Sequence, residues 1–256
     1  MRSNAAAAGG AFGTVPKPIR EPTKAPLGRP VDGPAKALRP RLAASILLLD
    51  RSESDVRVLV GRRSKQHVFM PDVHVFPGGR RDPGDHRIAF ARDLPAPLLD
   101  RLVGIYRGRL SVSAVRALAL AALRELHEET NLAVGPSWTD SDRPAGCLPF
   151  RPDLERLRYV ARALTPPGHV RRFDTHFFAL FTDEVDLDLA VLQDSRELED
   201  FRWVPVGDPT EVAIPDITAR ILHAVHTRLD ADPLLGFDGT VPYFHVRNGR
   251  PIRDLL

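Results

Sequence analysis

The chain has 256 residues, 43% of them hydrophobic, enough for a sizeable core in one large or two small domains. No stretch approaches the roughly 20 apolar residues of a membrane span, and the single cysteine, Cys147, excludes an intrachain disulfide and a zinc site built on several thiolates. The formal net charge is only +3, and seven basic residues (Arg2, Lys17, Arg20, Lys24, Arg29, Lys36, Arg39) against Glu21 and Asp32 crowd the first forty, so the remainder is slightly acidic and lacks the basic stripe of a nucleic-acid binder.

Residues 1–40 are rich in Ala, Gly and Pro without apolar periodicity, which predicts a disordered tail. No apolar region precedes a cleavage site, against a secretory signal. The tail is basic and acid-poor but not amphipathic, so a flexible tail is preferred over an organelle transit peptide. Asp254-Leu255-Leu256 is not a peroxisomal address, which leaves cytoplasm as the default.

Residues 41–256 read as the folded domain. Leu42–Leu49 and Val56–Val60 are predicted strands around a polar turn, and His74-Val75-Phe76 is a third, stopped by Pro77-Gly78-Gly79. Pro97–Tyr106 is a short amphipathic piece. A strong helix is expected from about Ala114 to Glu129, capped by Ser111 or Ser113, with Val115, Leu118, Ala122 and Leu126 on its apolar face. Leu154–Leu164 reads as a helix or helix-strand piece, and His176–Phe181 and Phe201–Val206 as strands. Ile217–Leu229 is an amphipathic helix with Asp216 as N-cap. Residues 232–256 form an extension whose Asn248-Gly249 predicts a hairpin turn. No repeat is present, and the mixture lacks βαβ regularity, so the fold class is α+β, or a helix-sheet-helix sandwich.

The chemistry is concentrated in Arg124-Glu125-Leu126-His127-Glu128-Glu129. Helical spacing gathers the carboxylates of Glu125, Glu128 and Glu129 near the helix C-terminus, where the dipole is already negative. A solvated acidic face is the bland explanation. A hard cation such as Mg²⁺ would instead turn the repulsion into binding. Phe76-Pro77-Gly78-Gly79 supports the second explanation, because two glycines let backbone groups approach a ligand closely.

These residues resemble the Nudix box, in which Gly, a glutamate after five residues and an Arg-Glu-X-X-Glu-Glu helix recur in order. Here Gly79 is followed after five residues by Asp85, then by Arg124-Glu125-Leu126-His127-Glu128-Glu129-Thr130-Asn131-Leu132. Asp85 stands where Glu is usual, and Asn131 where Gly is usual. Between Asp85 and Arg124 lie 38 residues instead of seven, an insertion of 31 placed at about 86–116. That insertion resembles the branch containing coenzyme A diphosphatases, as do Val60-Gly61-Arg62-Arg63-Ser64, His67-Val68-Phe69-Met70-Pro71, Arg171-Arg172-Phe173-Asp174-Thr175-His176 and Phe201-Arg202-Trp203-Val204. The likeness spans residues 41–230.

The resemblance implies a Nudix-type α/β/α sandwich with a central mixed sheet, and hydrolysis of a small-molecule diphosphate with Mg²⁺ or Mn²⁺. Glu125, Glu128, Glu129 and the Gly78 carbonyl would hold the metal, and Arg124 would pair with a carboxylate to fix loop against helix. Arg171, Arg172 and Arg62, with Arg63 beside it, are candidate diphosphate contacts, and Gly79 borders the substrate. Glu197, or Glu199, would be the base. His127 is expected to be exposed, and His67 and His74 to be ordinary loop or strand histidines. No Ser-His-Asp arrangement or phosphate loop stands out. The substrate expected first is coenzyme A or acyl-coenzyme A, with a nucleotide sugar or dinucleotide as the alternative. A Nudix-fold ligand-binding module without turnover is the reading from a different class. No nucleic-acid or membrane partner is expected; the insertion and the C-terminal hairpin are the places for partner contacts, a homodimer included.

Overall fold

The computed structural model describes residues 38–64, 72–139 and 142–256. The expected tail and His67–Pro71 lie largely or wholly outside these residues. Strands β1 (Arg41–Asp50), β2 (Arg57–Arg63), β3 (His74–Val75), β4 (Gly78–Arg80), β5 (Arg158–Leu164), β6 (Phe173–Phe181), β7 (Leu198–Pro205), β8 (Pro242–Arg247) and β9 (Arg250–Leu255) join in one sheet. Its main path runs β3-β2-β1-β6-β5-β8-β9, with β4 paired to β1 and β7 to β2. β1 lies parallel to β6 and β5 parallel to β8, and the other pairs are antiparallel, so the sheet is mixed.

Both faces are covered, which makes the fold an α+β sandwich. Ala44, Ile46 and Leu48 of β1 face α1 (Ala96–Tyr106) and α2 (Val112–Thr130), whereas Leu47 and Leu49 face α3 (Asp216–Ala231). Burial on both sides is why β1 reads as an unbroken apolar run rather than an alternating one. Among the described residues, no helix is long and apolar enough to cross a membrane.

α2 forms where expected and begins slightly earlier. Ser111, not Ser113, is its cap, accepting the Ala114 N–H at 3.1 Å. Its middle is enclosed on every side: Ala117, Leu118, Ala119, Ala121, Ala122 and Leu123 are all fully buried. Alanine there lets the sheet and α1 approach together, because a larger side chain would hold one of them off. The helix ends on Asn131 at φ 65°, whose N–H bonds the His127 carbonyl at 2.8 Å.

The segment between Asp85 and α2 is an ordered part of the core. It carries α1, whose Leu98, Leu102 and Tyr106 are buried. The Tyr106 hydroxyl lies 2.7 Å from His176 Nε2, and the Tyr159 hydroxyl 2.9 Å from His176 Nδ1. At the C-terminus, Asn248 (φ 52°) and Gly249 (φ 75°) supply the two left-handed residues of the hairpin turn.

Four expectations are corrected. Gly78-Gly79 does not merely stop a strand; Gly78–Arg80 is itself strand β4, paired with Ala43–Ser45. Leu154–Leu164 contains no helix, and its strand begins at Arg158. Asp216 is the first residue of α3 rather than its cap, which is Pro215; the Asp216 carboxylate takes Arg220 one turn on at 2.8 Å. β7 starts at Leu198, so Glu199 sits inside a strand.

Candidate active site

The site forms where β4 crosses the last turn of α2. Gly78 has φ 151°, and a Cβ there would meet the Ala44 carbonyl oxygen and Ser45 Cα at 2.5 Å. A Cβ on Gly79 would fall on the Glu125 carboxylate, 2.6 Å from Oε2. Gly78 is therefore required by contact with the β1 backbone, whereas a methyl at Gly79 would displace the Glu125 carboxylate. Ser45 Oγ donates to the Pro77 carbonyl at 2.7 Å and fixes the bend that leads into β4.

Glu129 is 5% exposed, and its Oε2 accepts the Gly78 N–H at 2.8 Å. Burial pushes its pKa up to about 8, against the Gly78 hydrogen bond, with Glu125 and Glu197 adding repulsion. Burial likewise raises Glu125 to about 7, where Arg124 opposes the shift and Glu128 and Glu197 reinforce it. Glu128 is half-exposed. Helical spacing puts the three acids on one turn, with exposure graded from Glu129 through Glu125 to Glu128.

Arg124 binds this turn to the preceding loop. Its Nε donates to Asp85 Oδ1 at 2.8 Å and its Nη2 to Oδ2 at 3.3 Å, while Nη1 reaches Glu128 at 2.7 Å and Glu125 at 3.0 Å. Burial works against its charge, but the surrounding carboxylates outweigh it and raise its pKa. Asp85 is buried and also accepts the Asp82 N–H at 2.7 Å. The shorter aspartate thus spans loop and helix despite the long segment that follows it. Among the described residues, no three His, Cys, Asp or Glu side chains stand together as a metal cage. The Glu128 carboxylate is turned to Arg124 instead.

The other candidates divide. Glu197 lies close enough to Glu125 and Glu129 to raise both. Arg63 feels Glu129, Glu197 and Arg171, so these groups share one neighbourhood. Arg62 alternates to the opposite face of β2 and pairs with Asp72 (3.0 Å), Glu199 (3.1 Å) and Asp200 (3.5 Å). That removes Arg62 and Glu199 from the site, because period two puts neighbours on opposite sides. Arg172 is also elsewhere: it donates to the Leu38 carbonyl at 2.8 Å and the Thr165 carbonyl at 3.1 Å, tying down the entry to β1.

The histidines are more enclosed than expected. His127 is half-buried, edge-on to Phe150 with centroids 5.2 Å apart. His74 is 6% exposed on β3, with no hydrogen-bond partner on either ring nitrogen among the described residues and Asp200 3.7 Å away. Sequence reasoning did not single out Ser45, whose signal would have been a lone polar residue within an apolar run.

No family model matches the chain. Several solved structures are similar to it. A NUDIX hydrolase from Alicyclobacillus acidocaldarius is 26% identical, with 72% of this chain and 90% of that one covered and a TM-score of 0.48. The NUDIX domain of Shewanella oneidensis NrtR, in complex with ADP ribose, is 13% identical over 77% of this chain and 93% of that one, with a TM-score of 0.44. A C. elegans Ap4A hydrolase is 15% identical over 74% and 98%, with a TM-score of 0.41.

Proposed function

We infer that the chain is a Nudix-type pyrophosphohydrolase that uses Mg²⁺ or Mn²⁺ to cleave the diphosphate linkage of a nucleoside-diphosphate-linked compound. The observation that carries this reading is the pair of desolvated carboxylates, Glu125 and Glu129, set on one helical turn against Gly78 and Gly79. Glu129 is buried and Glu125 largely so, and a cation beside them would relieve a repulsion that Arg124 meets only at Glu125. The donors on offer are all hard oxygens, which fit Mg²⁺ or Mn²⁺. The order Gly79, Asp85, Arg124-Glu125, Glu128-Glu129 supports the same reading by its likeness to the Nudix box.

A divalent cation would supply positive charge against the diphosphate oxygens and activation of the attacking water. Glu125, Glu128, Glu129 and the Gly78 carbonyl would hold it. Arg124 positions the acids by clasping Asp85, and Glu197 would accept the proton of the water. Arg171 and Arg63 would meet diphosphate oxygens, a reading supported by their shared neighbourhood with Glu129 and Glu197, and Gly79 would let the substrate come close. Coenzyme A or an acyl derivative is the first substrate to test, and dinucleotides or nucleotide sugars the next. The setting is taken to be cytoplasmic, which a single cysteine suits.

One observation favours a second reading, a ligand-binding module without turnover: the Glu128 carboxylate is engaged by Arg124. The test is hydrolysis of coenzyme A, acyl-coenzyme A, nucleotide sugars and dinucleotides with Mg²⁺ or Mn²⁺, beside Glu128→Gln. Turnover of one class that is lost with chelator and in the variant supports the hydrolase. Ligand binding by folded protein without turnover of any substrate supports the module.

A further inference from the structure

Beside α2 an open cavity of about 880 Å³ runs from the loop at 80–89 to Trp138 and the residues at 145–150. That volume falls within the roughly 300–1,000 Å³ of small-molecule sites. Its walls include Glu128 and Arg124, so the cavity opens onto one of the acids proposed to hold the metal. The far wall carries Trp138, half-buried, whose indole N–H donates to the Leu148 carbonyl at 3.0 Å. The Arg151 guanidinium stands 5.4 Å over the same ring, and a backbone bridge joins Ser137 to Phe150. The tryptophan is therefore held in place at the edge of a cavity, where simple core packing would have enclosed it.

Charge along the near wall is unequal. Arg80 is bound to Asp82 at 2.8 Å, and Arg124 is clasped by its carboxylates. Arg87 is exposed and, among the described residues, makes no side-chain hydrogen bond or ion pair. An aromatic platform, an uncommitted guanidinium and a neighbouring acid cluster suit a ligand with a flat base at one end and phosphate at the other.

We propose that this cavity binds the nucleoside arm of a diphosphate substrate, with its base stacked on Trp138 and a phosphate of that arm met by Arg87. The assignment rests on the hydrolase reading for what lies at Glu128, and it names the part of the substrate that gives selectivity. Adenosine diphosphate is a suitable probe and inorganic pyrophosphate its base-free control.

The chain has two tryptophans, so Trp203→Phe leaves Trp138 as the sole indole reporter. In that background, saturable quenching by adenosine diphosphate and none by pyrophosphate is the expected result. In calorimetry on the full chain, Trp138→Ala and the exposed Arg87→Ala should each weaken adenosine diphosphate about tenfold, Trp138→Phe much less, and pyrophosphate should be unaffected by the tryptophan changes. Binding of adenosine diphosphate with unmoved Trp138 fluorescence and unchanged affinity in both alanine variants overturns the proposal, even if the enzyme hydrolyses diphosphates. No binding of adenosine diphosphate overturns it too. Quenching and the variant effects without turnover of any substrate keep the cavity assignment and defeat the hydrolase reading alone.

Discussion

Asp85→Ala removes two guanidinium hydrogen bonds from Arg124 and one backbone N–H from Asp82, all at a carboxylate that is 2% exposed. Breaking a buried ion pair costs about 3–5 kcal/mol when it strands a charge. Arg124 is not stranded, because Glu125 and Glu128 remain on Nη1 and the Arg80 carbonyl on Nη2. The expected loss is therefore smaller, about 2–3 kcal/mol. For a domain of this size that corresponds to a fall in Tm of about 5–10 °C, read by thermal and urea denaturation. Asp93 offers the comparison, since it also takes a two-pronged arginine, Arg116 at 2.7 and 2.6 Å, but its side chain is 39% exposed. Asp93→Ala should cost no more than about 1 kcal/mol. Equal shifts in the two variants would refute the argument that burial makes the Asp85 clasp matter.

Burial holds His176 neutral with its pKa pushed down to about 3, whereas an unfolded histidine titrates near 6.5. Its contribution is complete above about pH 6.5 and is lost as pH falls toward 3, at about 1.4 kcal/mol per pH unit. Urea midpoints between pH 7 and 5 should therefore fall more steeply in the native chain than in His176→Gln; parallel curves would contradict this. Asn131→Gly should stay within about 0.5 kcal/mol and Asn131→Val cost about 1–2 kcal/mol, since only the latter strains at φ 65°. Arg172→Ala should lower Tm and leave KM unchanged, and Arg63→Ala should raise KM; steady-state kinetics of both variants separates clasp from contact. Gly79→Ala should abolish most turnover in a protein that still folds, at a cost of about 1–3 kcal/mol read from denaturation beside the assay.

Local pattern carried much of this in the sequence. The period of α2, the cap at Ser111 and the Asn-Gly turn are short-range, and each appears within a residue or two of where its chemistry puts it. That Glu125, Glu128 and Glu129 share one helical turn was legible for the same reason, whereas the turning of the Glu128 carboxylate to Arg124 was not. Facing was harder. Arg62 and Arg63 are neighbours of one type, and only the register of β2 against β7 decides which of them points toward Glu129. Arg172 resembles Arg171 in sequence, and its carbonyl partners Leu38 and Thr165 follow from β1 lying parallel to β6 and from the antiparallel pairing of β5 with β6. The strand at Gly78–Arg80 was hidden because glycine has low strand propensity, and pairing with β1 overrides it. The cavity at Trp138 depends on two loops distant in sequence, and neither loop has a periodic pattern to read.

Because Ala117 to Leu123 are walled in by sheet and α1 together, their amides should exchange with solvent only when the whole domain opens. The acids stand on the next turn of this slowest-exchanging rod. Asp85, on a single 3-10 turn, and Glu197, on an irregular segment, stand at its rim, where small local openings are expected to govern exchange. Breathing of the site is then expected to be one-sided, with the rim opening against the helix rather than the helix against the rim. A bound ligand that bridges the two sides would slow exchange in the loops and leave the rod unchanged, so amide protection alone would report occupancy.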